Sequence, residues 1–337
     1  MSFLEKAWVK KAGWLILLWP VSVVFQILAK ARRKKQQSVS AAPADSGKVP
    51  LLVIGNISIG GTGKTPLIIA LSSLLKEAGF TPGVISRGYG GTAANYPMQV
   101  DEFSKVSESG DEAFLIAEKT GCPVVVDPDR CMALKCLHEN FKVDVVLSDD
   151  GLQHYNLHRD IEIAVVDGQR LFGNGFCLPA GPLREPISRL KEVDHLVMNG
   201  PAAEELESLK AASIMELKPR SLVNLHSGEK RPFSGAPFNI GNTIQAISAL
   251  GNPQRFYDSL AGLPYQLETY SFPDHHAFSP SDFEQRGIDE HQPVVMTEKD
   301  AVKCREFTRP NYWYLAVDIK LDDKFTEQLI KQIKQFG

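Results

Sequence analysis

"VPLLVIGNISIGGTGKTP", Val49 to Pro66, sets a short apolar run against a glycine-rich turn that ends in lysine, threonine and proline. The run from Val49 to Asn56 is continuously hydrophobic, as a strand buried on both faces requires. After it, Gly60, Gly61 and Gly63 allow backbone N–H groups to close on a phosphate. Lys64 is placed to bridge β and γ oxygens, and Thr65 to offer its hydroxyl to Mg²⁺. The predicted phosphate loop is Ser58, Ile59, Gly60, Gly61, Thr62, Gly63, Lys64 and Thr65. A helix is predicted from about Pro66 to Ala78, stopped at Gly79; proline suits a first turn because no hydrogen bond is asked of its nitrogen. The common pattern G-x-x-x-x-G-K-[ST] has glycine where this chain has Ser58, which is tolerable if φ there is negative. A ligand-free glycine turn is the bland alternative. The strand before, the helix after and the acidic strand ends elsewhere weigh against it.

The same alternation continues outward. "PGVISRGYGG" and "CPVVVDPDR" read as strand then loop, "GDEAFLIAEKTG" as a helix, and "VDVVLSDDG" and "IEIAVVDG" as apolar runs ending in acid. Short hydrophobic strands separated by helices predict an α/β fold of P-loop NTPase type: a mostly parallel sheet with helices on both faces and ligands at the carboxyl ends of the strands. "DHLVMNG" adds a strand, and a polar zone from Ser221 to Gly235 marks the crossover into a second, smaller α/β lobe. The expected organisation is 1–35 as a membrane-associated helix with a basic flank, 36–48 as linker, 49–220 as core and 221–337 as second lobe.

Composition adds little to this outline. With 37 Lys plus Arg against 40 Asp plus Glu, the net charge of −3 predicts no general attraction to nucleic acid. Five cysteines form no C-x-x-C pair and suit a reducing compartment. The N-terminus departs from the ordinary: "AGWLILLWPVSVVFQILA", Ala12 to Ala29, is apolar apart from Ser22 and Gln26 and is followed by "KARRKK". Those cations replace the small-residue cleavage site of a secretory signal, which is therefore rejected. At 18 residues, with Pro20 near its middle, the run is borderline for the about 20 residues of a full span, and spanning stays open. With Trp8, Trp14 and Trp19 it suits a helix lying in, or dipping into, the headgroup region, and the basic flank keeps the rest of the chain on the cytoplasmic side. Deleting Met1 to Lys35 is expected to weaken membrane association and spare ATP binding.

The chemistry-bearing residues cluster at strand ends. Asp149 and Asp150 close an apolar strand and bring a carboxylate to the metal beside Thr65; one takes Mg²⁺ directly, the other a water or the substrate. A switch GTPase would need N-K-x-D and D-x-x-G, which "TEKD" (Thr297 to Asp300) and "DDGLQ" do not match. A partition-type ATPase would carry lysine where Ile59 stands. A kinase must also hold an acceptor hydroxyl near a carboxylate, and Asp111 at a helix start supplies one, with a helix N-cap as its bland alternative. His154 and His158 have the i, i+4 spacing of helical zinc sites but lack the glutamate of H-E-x-x-H.

Together, "GNISIGGTGKTP", "SRGYGG", "SGDEA", "SDDGLQH", "GPLREP", "FPDHHAF" and "MTEKDAVKC" resemble, in order from Val49 to Cys304, the tetraacyldisaccharide 4′-kinase family of lipid A biosynthesis. That resemblance implies ATP and Mg²⁺ as cofactors and phosphate transfer to the 4′-hydroxyl of a tetraacylated glucosamine disaccharide 1-phosphate, giving lipid IVA. It implies an N-terminal helix on the cytoplasmic face of the inner membrane. It also implies a catalytic dyad of Asp111 with His275, the adjacent His276 leaving that choice open, and a site lined by Arg87, Arg130, Arg184 and Glu185. The rival reading is a membrane-bound ATPase that hydrolyses ATP without an acceptor.

Overall fold

The computed structural model describes residues 4, 7–8, 10–39, 49–234, 237–239 and 241–336. The strands are β1 (Leu51–Gly55), β2 (Pro82–Ser86), β3 (Met98–Val100), β4 (Val124–Val126), β5 (Val145–Ser148), β6 (Ile161–Asp167) and β7 (His195–Asn199), followed by β8 (Ser213–Asn224), β9 (Lys230–Pro232), β10 (Thr243–Ser248), β11 (Gln266–Ser271), β12 (Val294–Thr297) and β13 (Tyr312–Leu321). They form one sheet in the order β11-β10-β12-β13-β8-β7-β6-β1-β5-β2-β4-β3, with β9 beside β8. Among the described residues every pairing is parallel except β8 with β13, β3 with β4 and β8 with β9.

Register along β8 positions the site. Its first residues, Ser213 to Met215, pair with β7, whereas Met215 to Asn224 pair with β13 running the other way. Strands β10 to β13 therefore run opposite to β1 and its neighbours, and the carboxyl ends of the two half-sheets point toward each other. The boundary expected at 220/221 falls inside this shared strand.

Each half-sheet is covered on both faces because its strands alternate apolar side chains. Leu52 and Ile54 of β1 pack with helices α2 (Lys64–Glu77), α3 (Asp111–Thr120) and the C-terminal α5 (Asp323–Ile333), while Leu51 and Val53 face α4 (Arg130–Asn140). In the other half, Ile244, Ala246 and Val295 pack under Phe256 and Leu260, and Ile247, Val294 and Met296 pack under Phe278 and Phe283.

The N-terminal segment differs from its sequence reading in three respects. Gly13–Leu18 is a 3₁₀ turn and the helix proper, α1, spans Trp19–Val39, so Pro20 lies in its first turn rather than mid-helix. The helix takes in the first four residues of the expected 36–48 linker, of which 40–48 lie outside the described residues. It is also docked: Ser22 Oγ donates to Cys177 O (2.9 Å) and accepts from Ala180 N (3.0 Å), and Trp8 Nε1 donates to Pro179 O (3.1 Å). Trp8 and Leu15 are buried against Ile59 of the phosphate loop and Leu178. The opposite side, including Leu17, Trp19, Val24, Ile27 and Leu28, is exposed.

Candidate active site

Residues 58–65 connect β1 to α2 as the strand–turn–helix pattern predicts, with the helix starting at Lys64 rather than Pro66. Gly60 and Gly63 take positive φ (87° and 99°), and a Cβ on Gly63 would sit 2.4 Å from Asn199 Nδ2. Glycine is needed there on both counts. Ser58 is absent from the described non-glycine residues with positive φ, so serine serves at that position. Side chains the sequence did not single out hold the loop. Asn56 Nδ2 donates to Thr62 Oγ1 (3.2 Å) and Gly60 O (3.3 Å), Asn199 Nδ2 donates to Thr62 O (3.1 Å), and Arg170 donates to Gly61 O. From the second half-sheet, Gly251 lies on the loop, where a Cβ would be 3.2 Å from Gly61 N. A cavity of about 330 Å³ flanks the loop, lined by Ser58 to Gly60, Asp167, Arg170, Gly251 and the N-terminal Trp8 and Lys11.

Lys64 Nζ reaches Asn56 Oδ1 and Asp150 Oδ1, each at 3.4 Å. Asp149 and Asp150 lie just past β5 rather than on it, and Asp150 has φ of 46°. The turn, not strand alternation, separates their roles. Asp150 accepts from Arg184 with both oxygens (3.0 and 3.2 Å). Burial opposes its ionisation, but Lys64 and Arg184 outweigh burial and hold its pKa below the ordinary value. Asp149 is the converse: burial, then the negative charge of Glu112, push it up to about 7. Its Oδ2 accepts from Ser86 Oγ (3.1 Å), while the buried Oδ1 has no hydrogen-bond partner among the described residues. An orphaned buried carboxylate oxygen fits a hard cation, which prefers oxygen ligands.

On the same half-sheet, Asp111 stands in the first turn of α3, 5% exposed, and Gly110 rather than Asp111 is the N-cap. His275 Nδ1 lies 3.1 and 3.2 Å from its two oxygens. His275 has φ of 59°, is fixed by its N–H to Ala249 O (3.2 Å), and meets the edge of Tyr89 at 4.7 Å. Its neighbour His276 turns away to stack on Phe272 and pair with Asp282 at 3.2 Å. Burial raises the Asp111 pKa, but the His275 hydrogen bond and the charges of Lys299 and Lys303 outweigh it, so the carboxyl sits below its ordinary value. Lys299, on the short helix Glu298–Ala301 after β12, is 2.8 Å from Glu112, and the Glu112 charge is felt by both Lys64 and Asp149. The first half-sheet thus carries both Lys64 and Asp111, and the second brings His275 and Lys299 against the start of α3.

The remaining expected residues fall differently. Arg130 is buried and donates to the carbonyls of Asp149 (3.2 Å) and Asp150 (3.0 Å), bracing that turn. Arg184 is engaged by Asp150, and Arg87 is exposed on its loop. Glu185 is not turned to the cleft: it accepts from the Tyr155 hydroxyl and faces Arg189 at 3.5 Å in a buried network. His154 and His158 occupy a turn, not a helix, and His158 pairs with Asp160 (3.1 Å). His154 does approach Asp129 and Cys131; burial followed by the charge of Arg130 lowers its pKa to about 4, which leaves the imidazole neutral, and burial raises the Cys131 thiol to about 11.

A parallel sheet with a glycine loop, its lysine and threonine, and carboxylates at the neighbouring strand end defines a P-loop nucleotide-binding protein of α/β class. Over residues 14–334 the chain matches the model of the tetraacyldisaccharide-1-P 4′-kinase family, and it belongs to that family. It is similar to the tetraacyldisaccharide 4′-kinases of Hahella chejuensis (42% identical, covering 99% of this chain and 97% of that protein) and Nitrosococcus oceani (44%, covering 99% and 95%). Its structure is similar to LpxK from Aquifex aeolicus, solved in complex with ATP, at 28% identity and a TM-score of 0.73 over 96% of this chain and 99% of that one.

Proposed function

We propose that this chain transfers the γ-phosphate of ATP to the 4′-hydroxyl of a tetraacylated glucosamine disaccharide 1-phosphate, the lipid A kinase step. The observation that carries it is the Asp111–His275 pair: the second half-sheet brings a histidine onto a carboxylate whose chain neighbour Glu112 feels the charge of Lys64, and an ATPase that uses water needs no second half-sheet to complete such a pair. Loop N–H groups and Lys64 hold the triphosphate. Asp111, kept ionised, receives the proton of the attacking hydroxyl, and its weakness as a base is acceptable where the transition state is loose and the proton leaves late. Thr65 and Asp149 would hold Mg²⁺, which supplies charge neutralisation at the phosphates. Asp150 is the less suitable ligand because Lys64 and Arg184 already occupy its oxygens. Arg184 and the exposed Arg87 remain the candidates for meeting the acceptor.

The acceptor's acyl chains account for the N-terminal helix. Gly13–Gln37 is apolar and long enough to cross a membrane, yet one side of it is docked on the domain through Ser22 and Arg33 while the other is exposed and apolar. That asymmetry supports a helix lying in the interface of the cytoplasmic leaflet, with "KARRKK" adding about 1 kcal/mol per basic residue on anionic lipid. The deciding experiment measures ATP consumption with and without the acylated disaccharide. Turnover is expected only with it; comparable turnover in its absence would favour the acceptor-free ATPase.

A further inference from the structure

Lys299 touches His275 from the side away from Asp111, and it reaches the carboxylates of α3 as well. Its Nζ lies 2.8 Å from Glu112 Oε1, 3.3 Å from His275 Nε2 and 4.0 Å from Asp111 Oδ2. An ammonium carries three donors and no lone pair, so a contact with Nε2 requires that nitrogen to be the acceptor. The ring proton of a neutral imidazole is then on Nδ1, where it meets Asp111 at 3.1 to 3.2 Å. Lys299 itself stays charged: burial disfavours its ammonium, but Glu112 and Asp111 outweigh burial and raise its pKa above the ordinary value.

We propose that Lys299 is a positioning residue for phosphoryl transfer: its ammonium caps Nε2 of His275 and locks the ring as the neutral Nδ1–H tautomer that donates to Asp111. This rests on the reading of Asp111 and His275 as the catalytic pair. In consequence His275 is not a second base. The hydroxyl proton passes to the Asp111 carboxylate, which the ring orients through one hydrogen bond.

The charges around the ring determine the effect of losing that cap. The ring itself meets Asp111 at Nδ1, Lys299 at Nε2, Asp274 at 3.9 Å from Nε2 and the uncharged Tyr89; one contact further out, Glu112 pairs with Lys299, and Lys303 lies 3.8 Å from Asp111 and 2.8 Å from Asp300. Without Lys299, Nε2 loses its donor, and Asp111 loses a charge that favours its ionised form. Asp111 is then protonated at a higher pH, which removes the group that receives the hydroxyl proton.

The test has two parts, both on the full-length protein in detergent. Nitrogen NMR of the wild-type imidazole is expected to show Nδ1 protonated and Nε2 bare, and this needs no variant. In Lys299→Met the acid limb of kcat/KM for the acceptor is expected to move up by about one pH unit, a tenfold loss below it, with KM for ATP unchanged. Lys299→Arg, which keeps the charge, returns the limb toward wild type. A wild-type ring protonated on Nε2, or a Lys299→Met profile that superimposes on wild type, overturns the proposal. Asp111→Asn serves as the control: if it keeps its turnover, the dyad reading itself fails whatever the tautomer, whereas an inactive Asp111→Asn with an Nε2–H ring defeats only the role given to Lys299.

Discussion

Removing residues 1–35 is expected to weaken ATP binding as well as membrane association, which revises the expectation drawn from sequence. The reason is contact. Leu15 and Trp8 are 1% and 6% exposed and form, with Ala7, a buried cluster against which Ile59 of the phosphate loop packs. Burial of Leu15 contributes roughly 2 kcal/mol to docking of the segment. The Trp8 and Ser22 hydrogen bonds to the 177–180 stretch add about 1 kcal/mol each. That stretch leads directly to Pro182 and Leu183, which pair with the loop through Ile59 N to Pro182 O (2.9 Å) and the Ser58–Leu183 bridge. Only the share felt by Ile59 reaches the nucleotide. Uncovering part of one isoleucine side chain is worth about 1 kcal/mol, which weakens binding about fivefold. Titration of a fluorescent ATP analogue into full-length and truncated protein in the same detergent measures this, with a thermal melt to establish that both are folded. Equal affinities in two folded proteins would refute the coupling, and undiminished sedimentation of the truncated form with anionic vesicles would refute the membrane role.

Asp111→Ala is expected to lower kcat by about 10²–10⁴ while leaving ATP affinity unchanged; steady-state kinetics with a separate nucleotide titration distinguishes a base from a structural group, for which both would fall together. Far from the cleft, Arg189 is 2% exposed and donates to both oxygens of Glu162 at 2.6 Å, so Arg189→Met should destabilise by about 1.5–3 kcal/mol by removing charged hydrogen bonds and leaving the buried carboxylate with Arg159 at 2.8 Å as its remaining cation. The same pair predicts a pH dependence. Burial raises the Glu162 pKa, but Arg189 and Arg159 outweigh it and hold the value below the ordinary 4.5. The pair's contribution is therefore complete above pH 4.5 and is lost as pH falls through the lowered folded-state value. Melting temperatures of wild type and Arg189→Met should converge under acid, and a gap that persists there would count against this assignment.

The phosphate loop was legible in the sequence because its determinants are local. Three glycines, a lysine and a threonine at fixed spacing after an apolar strand specify backbone geometry without reference to anything distant. The acidic end of β5 and the apolar N-terminal helix were visible for similar reasons, through continuous hydrophobic runs and their flanking charge. Asn56, Asn199 and Arg170 were not visible, since single polar residues gain their role only from the loop they happen to reach. Lys299 lies within "MTEKDAVKC", yet that run carries no spacing that says which charge the lysine meets.

Sequence by itself determined the class of fold, the nucleotide loop and the apolar N-terminus, all of which depend on residue order over short stretches of chain. Tertiary structure alone decided that β8 and β13 run antiparallel, which turns two sets of carboxyl strand ends toward each other. It also set His275 rather than His276 against Asp111, gave Asp149 and Asp150 different partners and placed Glu185 in a buried network. The physical reason is the same in each case. Hydrogen bonds and ion pairs between residues up to 187 positions apart depend on register and side-chain direction, which no local pattern encodes.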